Sequence, residues 1–280
     1  MGEKTIKHNK FRIFKRILPN WDHDLHVHSN WSQDNLDGPS LEEFIPLAER
    51  FKIHIGFADH FEFKFPNPKD PKCKECRLNQ NSVDNYLEEI DKIKENYPFI
   101  TSGLDFKFIP IRKDKLQEFT DDYRKQFDFF IGKVLEIEEI PSIHKKSSLN
   151  DVLDKFFQLE VELLKSKIFD CIAHPDKTFR FFAKKELKNH PEYAFDERIL
   201  ELGALCENTR TMMEVNLSGY RFPWKTPFPN LDYLHHLLAQ GVSFIVGSNS
   251  YTLEDFSNNV LNIRRINQII KGEFLFTKKF

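Results

Sequence analysis

The chain has 280 residues and a mass of 33.3 kDa, enough to bury a sizeable core and a length that α/β barrels often fill as one domain. Its 41 Lys and Arg stand against 43 Asp and Glu, a formal charge of −2 with a pI near 6.6, which speaks against a dedicated nucleic-acid binder. With 40% hydrophobic and 30% charged residues the composition is that of a globular protein, and no run approaches the roughly 18–20 apolar residues of a membrane span.

The first twenty residues, MGEKTIKHNKFRIFKRILPN, are basic and lack the apolar stretch of a secretory signal. Residues 1–20 are therefore read as a solvated arm carrying Lys7, Lys10, Arg12, Lys15 and Arg16, ahead of a single domain over 21–280. Then apolar runs and helical patterns alternate. DLHVHS (24–29) reads as a strand, and SLEEFIPLAERF as a helix opened by a Ser40–Glu43 capping box. IHIGFADH (53–60) is the next strand. A polar loop with Cys73 and Cys76 follows, then a helix around SVDNYLEEIDKIKENY. FITSGLDF (99–106) is a third strand and KDKLQEFTDDYRKQ its helix. FDFFIGKVL (127–135) is the fourth strand, and the helix after it stripes Leu149, Val152, Leu153, Phe156, Phe157 and Leu164 along one face. Strands are expected at 168–175, 211–218 and 242–249, with helices over DERILELGALCENT, over NLDYLHHLLAQ up to Gly241, and from Thr252.

Seven βα units predict a parallel sheet, either closed as a barrel or open and doubly wound. His26, His28, His60, Asp105, His174, Asn216 and Asn249 all fall late in or just after a different strand or pair of strands. Chemistry spread over many C-terminal strand ends belongs to a barrel, and no Gly-rich dinucleotide loop or Walker loop follows any strand. The cysteines suggest no disulfide framework, which points to the cytoplasm; Cys73–Cys76 reads as an oxidisable loop pair and Cys171 and Cys206 as core.

His26 and His28, two apart on a strand, place both imidazoles on one face, where they can share a metal ion or simply hydrogen-bond. Asp24 shares that face and is expected to orient a histidine. His60, Asp105 and His174 at other strand ends add to the metal reading.

In this order DLHVHS, ADH, GLDF, IAHP and GSNSY resemble the motifs of the PHP (polymerase and histidinol phosphatase) family, and DFFIGKVL and MEVNLSGYR are similar to its histidinol-phosphatase branch, over roughly residues 20–265. The resemblance implies a distorted (β/α)7 barrel with divalent ions, zinc, manganese or iron, at its C-terminal face. A first family site falls on His26, His28, Asp105 and Asn249, a second on Asp105, Leu135 and His174, and a third on Asp34, His60 and Tyr251. It further implies His26, His28, Asp105 and His174 as the principal catalytic set, with Arg221 and Lys177 where phosphate-binding cations are useful. The implied activity is phosphomonoester hydrolysis of a small phosphorylated metabolite by metal-bound hydroxide.

The chain departs from the family at each site. Leu135 and Tyr251 stand where histidines are usual, Asn249 where an aspartate is, and Asp105 where a glutamate is. Leucine cannot ligate, and an amide oxygen is a weaker ligand for a transition metal than a carboxylate. Between one and three ions are therefore expected per chain, fewer than usual for the family. A catalytically weakened barrel that binds a phosphorylated ligand or a protein is the alternative, and nucleic-acid processing has little support beyond the family itself.

Overall fold

A computed structural model of the chain describes residues 11–61, 78–134, 149–177, 197–222 and 225–272. Seven parallel strands lie side by side in chain order: β1 (Asp22–Val27), β2 (Ile53–Phe61), β3 (Ile100–Phe108), β4 (Phe129–Val134), β5 (Cys171–Ile172), β6 (Met212–Asn216) and β7 (Phe244–Gly247). The helices that follow them in turn are α1 (Ile45–Phe51), α2 (Val83–Asn96), α3 (Lys113–Tyr123), α4 (Leu149–Ser166), α5 (Glu197–Thr209), α6 (Leu231–Gln240) and α7 (Leu253–Lys271). The sheet curls until its first and last strands meet through a Val27–Ser250 bridge, giving a nearly closed (β/α)7 barrel.

Strand residues alternate between two apolar layers. One layer, between sheet and helices, includes Phe57, Phe106, Phe130, Val215 and Phe244. The other fills the barrel's interior with Leu25, Ala58, Phe129, Ile131, Cys171, Ala173, Met212 and Ile245. Small residues make room there: a Cβ on Gly103 would lie 2.4 Å from the Phe129 ring. Cys171 and Cys206 are buried free thiols, as expected of core residues. The helices end as their sequences suggest, α6 at the left-handed Gly241, while Thr252 Oγ1 accepts the Asp255 N–H at 3.0 Å to open α7.

Three expectations change. The segment before α1 starts as a 3-10 turn over Glu42–Phe44; the Glu43 carboxylate accepts the Ser40 N–H at 2.8 Å, and no side chain caps the turn in return. The fifth strand shrinks from 168–175 to two residues, because the Asp170 carboxylate takes the Phe130 N–H at 2.7 Å and His174 adopts a left-handed φ of 34°. The part of the N-terminal arm that the structure describes is docked. Ile13 joins the barrel interior with Phe11, Phe14 and Ile17 against it, and Arg12 and Arg16 turn toward Asp128 at 4.0 and 3.5 Å. The Asp128 side chain, 2% exposed, gathers these two cations and Lys94, 2.9 Å away, around one buried carboxylate. The Cys73–Cys76 pair and Leu135 lie outside the described residues. Among the described residues, no helix is long and apolar enough to cross a membrane.

Candidate metal centre

The site lies at the C-terminal ends of the strands, one layer above the apolar interior. β1 carries an extra residue relative to β2 between Asp24 and Val27, a bulge of the kind that re-aims side chains near functional sites. His26 and His28 are both fully buried, with ring centroids 4.9 Å apart. Together with Asp105 on β3 they place one ligand atom each within 4.8 Å of one another. Asp105 reaches this position beside His60 of β2, to which it is paired in register.

Each imidazole is held from behind. Glu214 of β6 takes the His26 Nδ1 proton at 2.7 Å through Oε1, which also accepts the Asn216 Nδ2–H at 2.8 Å, while Oε2 accepts the His174 backbone N–H at 3.1 Å. That arrangement turns His26 Nε2 toward Asp105 Oδ2, 3.5 Å away. His28 Nδ1 meets Ser32 Oγ at 3.1 Å, and Ser32 donates in turn to Asp59 Oδ1 at 2.8 Å. His28 Nε2 faces Asn249 Oδ1 at 3.3 Å, and its ring stacks on Tyr251 at a centroid distance of 4.3 Å.

Charge follows from this packing. Burial disfavours an imidazolium at His26, yet the Glu214 and Asp105 carboxylates outweigh it and hold the group up to about 9. Burial, with the neighbouring His60 and His26 charges, drives His28 well below its ordinary value; burial and Lys177 do the same to His174. Burial opposes ionisation of Asp105, but Lys133 and the imidazoles keep it a carboxylate far below the usual range.

The fit to a divalent ion can be tested on the donors. His26 Nε2 and Asp105 Oδ1 are buried and have no hydrogen-bond partner among the described residues. Orphaned buried groups of this kind are costly unless something satisfies them. Two imidazoles and a carboxylate are a donor set suited to zinc and its neighbours. The residues at this first position fit.

The other sequence candidates lie around this core. His174 stands beside His26 at a ring separation of 6.5 Å, outside the three-residue cluster. His60 Nδ1 pairs with Asp34 Oδ1 at 3.1 Å, and its Nε2 lies 3.1 Å from Asp105 Oδ2 and 3.4 Å from the Tyr251 hydroxyl. That imidazole pulls Asp34 down to about 2 against its partial burial. Asn249 adopts a left-handed φ of 53° and turns its amide oxygen to His28. Arg221 donates to the Asn249 carbonyl at 3.3 Å and approaches Asp255 at 3.5 Å, with its side chain 38% exposed. Lys177 caps the turn after His174, its N–H donating to the His174 carbonyl at 3.0 Å.

Asp24 does not orient a histidine ring. Its Oδ1 accepts the Ser248 N–H at 2.8 Å and the His26 N–H at 3.4 Å, so it fastens β7 to β1 instead. Glu214 does the orienting, and the sequence motif around Asn216 passes over it. Lys133 of β4 is the other residue sequence reasoning missed: its ammonium donates to Asp105 Oδ2 at 2.6 Å and to His60 Nε2 at 2.7 Å.

This architecture, with polar residues gathered at successive strand ends, is that of the PHP-type (β/α)7 barrel. Among solved structures, the chain is similar to a Listeria monocytogenes protein carrying the provisional name histidinol phosphatase, with a TM-score of 0.72 and 14% identity over 86% of this chain and 99% of that one. It is also similar to the histidinol phosphate phosphatase of Lactococcus lactis, solved with zinc, L-histidinol and phosphate, with a TM-score of 0.69 and 18% identity over 90% of this chain and 94% of that one. No family profile and no curated protein sequence matches the chain. At these identities the likeness is one of fold.

Proposed function

We propose that the protein is a metal-dependent phosphomonoesterase acting on a small phosphorylated metabolite. The observation that carries this reading is the buried His26–His28–Asp105 cluster with its unpartnered His26 Nε2 and Asp105 Oδ1. The likeness in fold to a phosphatase whose structure holds zinc and phosphate supports it. A divalent ion at such a cluster supplies acidified water and offsets charge on a phosphoryl oxygen.

The chain's own groups do the rest. Glu214 fixes the His26 tautomer by accepting at Nδ1, which leaves Nε2 for the ion in place of a proton. Ser32 and Asp59 fix His28 in the same way from the opposite side. His174, kept neutral by burial and Lys177, offers a free imidazole lone pair next to His26. Arg221, anchored beside Asn249, presents a planar guanidinium suited to two phosphate oxygens, with Lys177 a second cation in the turn after His174.

One observation favours a second reading, a barrel that binds a phosphorylated ligand with little turnover. Tyr251 and Asn249 fall at ligand positions of the family resemblance and offer neutral oxygens, burial together with Asp34 and Asp105 pushing the Tyr251 phenol well above its ordinary 10. Turnover of a panel of phosphomonoesters, histidinol phosphate included, by zinc- or manganese-loaded protein separates the two. We expect hydrolysis that falls about 100-fold or more in a His26→Ala/His28→Ala variant. Equal rates in both proteins would sink the phosphatase reading. A large gain in the Asn249→Asp/Tyr251→His variant from a barely active start would favour the second.

A further inference from the structure

Phe129, Ile131 and Lys133 alternate on β4 and so share one face. The first two belong to the apolar barrel interior, and the third rises into the mouth above them. There the ammonium reaches two residues that the family resemblance assigns to separate metal sites. It donates to Asp105 Oδ2 at 2.6 Å and to His60 Nε2 at 2.7 Å, from a side chain only 14% exposed. His60 Nδ1 lies 3.1 Å from Asp34 Oδ1, so the ring donates to Asp34 and spends its one lone pair on the lysine. Asp105 likewise commits Oδ2 to the Lys133 ammonium, with His60 Nε2 3.1 Å from the same oxygen, and keeps Oδ1 unpartnered among the described residues.

We infer that the Lys133 ammonium is a built-in cation, occupying the place between Asp105 and His60 that a second divalent ion would need, so that the chain holds one divalent ion and not a cluster. The inference rests on the reading of His26, His28 and Asp105 as a metal centre. Three physical points carry it. The lone pair of His60 and one oxygen of Asp105 are both taken by the ammonium. A divalent ion brought to the same pair would meet a like charge at contact distance in a poorly screened pocket. Finally, Asn249 and Tyr251 supply only neutral oxygens beside His28 and His60, and the Asp34 carboxylate is engaged on the far, Nδ1 side of the His60 ring. Lys133 thereby acts as a positioning residue: it holds Asp105 and His60 in place without a metal.

The test is metal stoichiometry, measured on full-length protein by elemental analysis and by calorimetric titration with zinc and manganese. Wild-type protein is expected to take up one equivalent, Lys133→Arg one, and Lys133→Ser two. His60→Ala is expected to keep one equivalent, whereas His28→Ala loses it. Two or three equivalents in the wild type, or loss of the ion in His60→Ala, would overturn the role of Lys133 while leaving the metal centre standing. No ion in the wild type overturns both. A folded Lys133→Ser protein that stays at one equivalent also refutes the inference. Should that variant fail to fold, the wild-type, Lys133→Arg and His60→Ala counts decide alone.

Discussion

Glu214 contributes no atom to the three-residue cluster, yet it ties three parts of the site together. Its carboxylate holds the His26 ring, the Asn216 amide and the His174 backbone at once. A Cβ added at Gly247 would lie 2.0 Å from its Oε1, so β7 must run bare past it. Glu214→Gln keeps the size and an acceptor oxygen but loses the charge that favours His26 Nδ1–H. Metal affinity measured by chelator competition is expected to fall about 10–100-fold with the melting point little changed; unaltered affinity would remove the orienting role. The clustered histidines were legible in the sequence because histidines at strand ends stand out against an apolar pattern. Glu214 and Lys133 were not, since on a strand a single charged residue among apolar neighbours looks the same whether it faces solvent or the barrel axis. Only the closure of the sheet decides that these two face inward.

Among the elements, the docked N-terminal segment is the one whose character the sequence misrepresents. Its lysines and arginines dominate the composition, but Ile13 at 2% exposed is the residue that matters, seated beneath Leu25, Phe129 and Met212. Ile13→Ala is expected to cost about 2–5 kcal/mol of unfolding free energy in urea, the usual range for emptying such a seat. A change below about 0.5 kcal/mol, the level of a neutral surface substitution, would mean the segment is not part of the folded unit. The other elements came through in type and order, because period-two and period-3.6 patterns persist over many residues. Strand ends were less readable. β5 is the plainest case, where the Asp170 side chain replaces a backbone partner and the sequence gives no sign that the ladder stops after two residues.

At the scale of the whole molecule, stability should carry a pH dependence that originates away from the site. Glu160 of α4 is fully buried, its Oε2 without a partner among the described residues, and burial reinforced by Asp176 raises it well above its ordinary 4.5. The folded protein therefore holds this proton at pH values where the unfolded chain has released it. From about pH 4.5 upward the unfolded state binds fewer protons, so Glu160 subtracts stability as pH rises toward its folded value. Glu160→Gln abolishes that loss. Its unfolding free energy is expected to match the wild type near pH 4 and to exceed it at pH 8 by on the order of 1–3 kcal/mol, the cost of a buried unsatisfied group. Equal stabilities at both pH values would show the carboxyl to be satisfied.

The barrel is fastened differently where it closes. Between β1 and β7 the backbone contributes His28 N–H to Ser250 O and Asn249 N–H to His26 O, while the Val246 and Ser248 amides bond to side chains, His23 Nε2 and Asp24 Oδ1. The β2–β3, β3–β4 and β6–β7 junctions are continuous ladders, whereas β1–β2 is bulged and β5 pairs over only two residues on each side. This joint between β1 and β7, fastened in part by side chains, lies against the two histidines themselves, and parting it by a few ångströms would carry Asn249 off His28. Opening the barrel there would also uncover the proposed ion site, which makes this joint a doorway for exchange with solvent.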